Sequence, residues 1–163
     1  MIDATEAKAR ELLAACERRG WMLATVESCT GGLVAAALTD IPGSSRVVER
    51  GFVTYSNAAK TELVDVPTAL IEAHGAVSPE VAAAMAAGGL ARSRAEIAVA
   101  VTGIAGPGGS EFKPEGLVCF ACATAQGRQG GRVREFGAQG RDRVRALSVL
   151  EALDLALEMA EVL

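Results

Sequence analysis

The segment Met22-Leu-Ala-Thr-Val-Glu-Ser-Cys-Thr-Gly-Gly-Leu33 constrains this chain more than any other. A short apolar run gives way to Glu27-Ser-Cys-Thr-Gly-Gly32, and an Ala-rich helical stretch follows from Leu33. That order predicts a strand, a tight turn and a helix, with Ser28 where strand becomes helix. The first amides of a helix have no partner within it. Together with the helix dipole they favour a negative charge in the turn, either a phosphate or a developing oxyanion. Gly31 and Gly32 allow close backbone approach. A hydroxyl beside such a pocket suits acyl transfer; Ser28 or Thr30 acting only as a helix cap fits the same residues.

The remaining punctuation extends the pattern. Asp3 and Glu6 suit a capping box for a helix over Ala4 to Arg19, stopped by Gly20. Strands are expected over Met22 to Val26, Arg46 to Tyr55 and Ile97 to Val101, and helices over Leu33 to Thr39 and from Asn57 to near Val64. Pro67 breaks the chain before Ala69 to Ala73, and Ser78-Pro79-Glu80 opens a helix to about Ser93 that Gly88 and Gly89 should loosen. Leu117 to Thr124 and Arg132 to Phe136 read as a hairpin around Gly127 and Gly130. A last helix from Arg141 to Val162 places Leu147, Leu150, Leu153 and Leu157 on one stripe. Helix–strand alternation followed by a hairpin predicts an α/β fold: a three-layer α/β/α sandwich on a mostly parallel mixed sheet, as one domain over residues 1–163. Half the residues are hydrophobic but only 4% aromatic, so the core should be built of thin side chains packed closely.

Net charge of −4 argues against duplex nucleic acid as the partner. Arg128, Arg132, Arg134, Arg141, Arg143 and Arg145 crowd the last third; most are read as solvated, with one or two left to hold a small anion. No apolar run approaches a membrane span and the N-terminus is unlike a signal peptide, so no membrane partner and a cytoplasmic location are expected. Cys119 and Cys122 match C-x-x-C, but three strand residues apart they point to opposite faces and cannot share a metal. They are expected to be core thiols, as are Cys16 and Cys29, with no disulfide in a reducing compartment. No metal-ligand cluster is apparent, and neither metal nor cofactor is expected. The Ala/Leu-rich terminal helix is compatible with self-association, and a homo-oligomer is expected.

In parallel sheets, ligands sit at the carboxyl ends of strands. Glu27 to Gly32, Tyr55 to Lys60 and Thr102 to Ser110 all fall at such ends. In Tyr55-Ser-Asn-Ala-Ala-Lys60 the lysine lies one helical turn in and can face Ser28. Burial lowers a lysine pKa, which allows it to serve as general base without histidine. The one histidine, His74, reads as a turn residue. An exposed helix lysine is the competing reading of Lys60, and Glu27 suits orienting a donor or Lys60, contact with substrate, or solvent. The glycine loop fits neither G-x-x-x-x-G-K-[ST] nor G-x-G-x-x-G, and the serine turn lacks G-x-S-x-G.

Five motifs in order, Glu27-Ser-Cys-Thr-Gly-Gly32, Pro42-Gly-Ser-Ser45, Tyr55-Ser-Asn-Ala-Ala-Lys60, His74-Gly-Ala-Val-Ser78 and Thr102-Gly-Ile-Ala-Gly-Pro107, resemble the CinA C-terminal domain family over nearly the whole chain. That family includes amidohydrolases of nicotinamide mononucleotide. The resemblance implies a stand-alone form that converts this mononucleotide to nicotinate mononucleotide and ammonia, with Ser28 as nucleophile and Lys60 as its base. It further implies Tyr55 as the group that relays or orients the serine's proton, Ser45 and Thr102 as hydroxyls that position Lys60 or substrate, and Thr30 to Gly32 as oxyanion donors. Gly103, Gly106 and an arginine near Arg141 would hold ribose or phosphate. A nucleotide-binding or regulatory module without catalysis is the rival reading. An oxidoreductase using Tyr55 and Lys60 ranks behind it, since the Y-x-x-x-x-K spacing is wrong and no dinucleotide loop is present.

Overall fold

Helix α1 (Ala4–Arg19) starts where the Asp3 carboxylate accepts the Glu6 amide at 2.8 Å, in the computed structural model, which describes residues 3–161. Gly20 ends it in the left-handed conformation (φ 68°), its amide turned back on Cys16 and Glu17. The elements that follow are β1 (Leu23–Glu27), α2 (Leu33–Thr39), a 3-10 turn (Ser44–Arg46), β2 (Val48–Val53) and α3 (Asn57–Val64). Then come α4 (Thr68–His74), α5 (Pro79–Ala91), β3 (Ile97–Gly103), the hairpin β4 (Leu117–Thr124) and β5 (Gln129–Glu135), and α6 (Arg141–Glu161). Caps fix several of these: Ser56 accepts the Ala59 amide at 3.0 Å ahead of α3, and Ser78 accepts the Val81 amide at 3.2 Å ahead of α5.

The sheet order is β2-β1-β3-β4-β5, with β1 parallel to both neighbours and β4 antiparallel to both of its own. Four strands therefore run one way and β4 alone opposes them, which is the mixed, mostly parallel sheet expected. After β1 the chain moves outward to β2 and then returns to β3 on the other side. The carboxyl end of β1 is thus the switch point where α/β sheets bind ligands. Helices α1, α2 and α6 cover one face with Leu12, Val34, Leu38 and Leu153 against Val99, Val101 and Phe120. Helices α3 to α5 cover the other, with Val64, Ile71, Val81 and Met85 against Val26 and Ala100. Cys119 and Cys122 belong to these opposite clusters, and all four thiols are free and buried.

Three details differ from expectation. The stretch before β2 is a 3-10 turn, so the strand starts at Val48. β5 begins at Gln129, and Gly130 lies inside it beneath Met159 of α6. The buried face of α6 is wider than a leucine stripe: Val144, Ser148, Val149, Ala152 and Ala156 are covered, while Leu147 and Leu150 are half-buried at its edge. Val162 lies outside the described residues. Arg132 ties this helix to β5, donating to Glu151 at 3.0 Å, to Asp154 at 2.7 Å and to Glu158. No helix among the described residues is long and apolar enough to cross a membrane.

The glycine pair in α5 also behaves differently from expectation. Gly88 and Gly89 do not loosen the helix; they let it lie directly on its neighbours. A Cβ on Gly88 would meet the Val64 carbonyl oxygen at 1.7 Å, and one on Gly89 would meet Val26 at 2.3 Å. A backbone carbonyl cannot rotate aside as a side chain can, so Gly88→Ala must push α5 away from α3. A loss of about 3 kcal/mol is expected, at the upper end of overpacking costs, read as a lower urea midpoint with unchanged m-value.

Candidate active site

Glu27 ends β1 with its side chain 1% exposed. Beyond it the chain doubles back through Gly31 (φ 57°) and Gly32 (φ 111°), conformations that side-chain-bearing residues rarely adopt. The doubling returns the start of α2 to Glu27, whose carboxylate accepts four bonds: the Thr30 hydroxyl at 2.6 Å and the amides of Gly32 at 3.2 Å, Val34 at 2.8 Å and Ala35 at 3.0 Å. The Gly31 amide donates to the Ser28 carbonyl at 3.0 Å. The anion expected in this turn is therefore the chain's own carboxylate. Glu27 thus orients donors, does not face solvent and is not among the residues lining the cavity described below; the amides of Gly31 and Gly32, expected as oxyanion donors, are consumed internally, which corrects that expectation. Among the described residues, the amides of Cys29 and Thr30 donate to no acceptor in another residue.

Ser28 continues the ladder past β1, its amide donating to Val101 at 2.9 Å. Its hydroxyl meets the lysine of the neighbouring parallel unit. Lys60, one turn into α3, is 1% exposed and its Nζ stands 3.1 Å from Ser28 Oγ. The same nitrogen lies 2.9 Å from the Thr54 carbonyl and 3.4 Å from that of Tyr55. Burial pulls its pKa below the ordinary 10.5. Burial also pushes the adjacent Cys29 thiol up to about 12, so that group stays neutral.

Tyr55 enters by its backbone. Its carbonyl touches the dyad, whereas its phenol, in a side chain 57% exposed, accepts from Arg141 at 2.8 Å. A phenolic relay to Lys60 is thereby corrected. Thr102 donates to the Ala76 carbonyl at 2.9 Å, so its hydroxyl holds the Ala76 segment and not Lys60. Ser45 is far from the site: it is exposed in the 3-10 turn that precedes β2, and with β2 parallel to β1 it lies at the opposite end of the sheet, a strand length of about 20 Å away.

Ser28, Lys60, Thr102, Gly103, Gly106 and Arg141 line one cavity of about 330 Å³ at the switch point. Arg141 spans its mouth, donating to Gly106 as well as to Tyr55, both at 2.8 Å. Cys29 and Asn57 line it too and were not anticipated. Nor was Arg145, half-buried, which donates from Nε to the Cys29 carbonyl at 3.1 Å and from Nη2 to that of Thr30 at 3.3 Å. One signal for it was available: Arg141 and Arg145 are four apart and share a helix face.

A profile of the CinA C-terminal domain matches residues 5–160. The chain is 63% identical over 114 residues to a putative competence-damage inducible protein of Symbiobacterium thermophilum, covering 69% of this chain but spanning only 26% of that relative. It is 51% identical to the nicotinamide-nucleotide amidohydrolase PncC of Escherichia coli K12, over 85% of this chain and 84% of that one. The fold superposes on the crystal structure of the competence/damage inducible protein CihA of Agrobacterium tumefaciens with a TM-score of 0.92, at 48% identity and 96% coverage of each.

Proposed function

The chain belongs to the CinA C-terminal domain family, and on that premise we propose that it hydrolyses the carboxamide of nicotinamide mononucleotide to nicotinate mononucleotide and ammonia. The observation that carries the reading is the 3.1 Å contact of a serine hydroxyl with a buried amine inside a cavity. The similarity to the E. coli amidohydrolase supplies the substrate.

An uncharged amine has two N–H bonds and one lone pair. Two carbonyls, those of Thr54 and Tyr55, stand within reach of the hydrogens, which leaves the lone pair for the Ser28 hydroxyl. Ser28 Oγ attacks the carboxamide carbon while its proton passes to Lys60. The ammonium so formed keeps the same two carbonyls as acceptors, so neither protonation state is stranded in the interior. The tetrahedral oxyanion takes the Cys29 and Thr30 amides, a contribution of about 3 kcal/mol per donor in comparable sites. Lys60 then returns the proton to the departing nitrogen, the C–N bond breaks and ammonia leaves. Water, deprotonated by the same amine, attacks the acyl-enzyme; the bond from the acyl carbon to Ser28 Oγ breaks, and Lys60 returns the proton to Oγ. Arg141 at the mouth offers a fixed cation of the geometry that suits a phosphate.

Ammonia release from nicotinamide mononucleotide, followed by a glutamate dehydrogenase couple, tests this. Wild type is expected to turn over, and Ser28→Ala to lose about 10³-fold or more in kcat with its thermal melt intact. Full activity in Ser28→Ala removes the nucleophile assignment. A second reading, a regulatory module that binds the nucleotide without cleaving it, is favoured by one fact: the chain spans only a quarter of the longer Symbiobacterium relative. Calorimetric binding with no ammonia released would establish it.

A further inference from the structure

The amidase reading assigns Arg145 nothing, yet Arg145 grips the backbone immediately after Ser28. We propose that Arg145 is a positioning residue that aims the Cys29 and Thr30 amides at the reacting oxygen; the inference rests on that reading of Ser28 as nucleophile. In a trans peptide, the C=O and the following N–H point in opposite directions. Holding the Cys29 carbonyl at 3.1 Å therefore turns the Thr30 amide away from the guanidinium. The Thr30 carbonyl, 3.3 Å from the guanidinium, also accepts the Leu33 amide at 3.0 Å, so the next peptide plane is held from both sides. The plane before, which carries the Cys29 amide, is set by the Ser28 carbonyl accepting from Gly31. Every peptide plane from Ser28 to Gly31 is thus pinned by a named bond, and the two amides left over belong to the two residues that follow the nucleophile, Cys29 in the cavity wall and Thr30 fully buried.

The residue type fits this role. A guanidinium presents a planar fork that bridges two carbonyls, which an ammonium on a flexible stem does not reproduce. The fold has less need of Arg145, since Glu27 already closes the same turn with four bonds. Arg145 therefore governs where the amides point more than whether the turn forms.

Pyridine-3-boronic acid provides a probe of the oxyanion site that does not depend on turnover. Ser28 Oγ donates an electron pair to boron, its proton passes to Lys60, and the boron becomes a tetrahedral anion. Arg145→Ala is expected to weaken boronate binding at least about tenfold, one oxyanion donor being worth 10²–10³-fold in kcat elsewhere. Binding of nicotinamide mononucleotide should change less than about twofold when Arg145→Ala is added to Ser28→Ala. Arg145→Lys keeps the charge without the fork, and it should show the same selective loss should the alanine variant fail to fold. Equal weakening of both ligands, weakening of neither, or no boronate adduct in wild type would each overturn the proposal. Wild type that binds the boronate but releases no ammonia from the nucleotide would sink the substrate assignment and leave this inference standing.

Discussion

Replacing Lys60 with methionine is expected to lower ammonia release by about 10³-fold or more on the plateau of the pH profile, where the wild-type amine is free. General-base catalysis by a positioned side chain is worth 10²–10⁴-fold, and no histidine stands by to substitute, since His74 lies apart with its ring 3.8 Å from Glu80. Lys60→Arg should be as inactive, because a guanidinium does not surrender its proton. The pH profile gives an independent test. On the proposed mechanism Lys60 acts as the free amine, and burial holds its pKa below 10.5. The kcat/KM of wild type should therefore fall about tenfold per pH unit on the acid side of that pKa and flatten above it. Stability carries the same sign. Between the folded pKa and 10.5 the unfolded chain binds the proton that the folded chain lacks, so stability rises with pH across that window, and folding is penalised below it. A Lys60→Met enzyme that keeps a tenth of wild-type activity, or a profile with no ascending limb, removes Lys60 from the chemistry.

The fold was largely legible because its boundaries are written in caps. Asp3, Ser56 and Ser78 carry short-range bonds that depend only on the next three residues, so α1, α3 and α5 begin where the sequence places them. The Ser28–Lys60 pairing was legible for a related reason: each follows a strand, and parallel strands bring their carboxyl ends together. Ser45 failed for want of the same information, since a hydroxyl before a strand travels to the opposite end. Tyr55 was chosen for its phenol, but it serves the dyad through a carbonyl that every residue type possesses and that no motif can single out. Glu27 shows a deeper limit. Its partners at Val34 and Ala35 are reached only because Gly31 and Gly32 fold the helix start back on the strand end. That return is a property of two backbone angles, invisible to charge or periodicity.

Glu27→Ala is expected to destabilise the protein by about 3–5 kcal/mol, as when one partner of a buried charged network is removed. The Thr30 hydroxyl and the amides of Gly32, Val34 and Ala35 would lose their acceptor together, each unsatisfied group costing about 1–3 kcal/mol before water relieves part of it. For a chain of this size that corresponds to a fall in Tm of roughly 6–20 °C. Glu27→Gln should cost less, because its amide oxygen still accepts while its NH₂ is turned on a donor. Glu27→Asp falls a methylene short of α2 and should resemble the alanine variant. A substrate ligand would behave otherwise, raising KM and leaving the melt unchanged. Differential scanning calorimetry of the three variants, read beside KM, separates the two roles. Because Ser28 is the next residue in the chain, a loosened turn should also lower kcat, and least in Glu27→Gln, so activity and Tm should rank the variants in the same order.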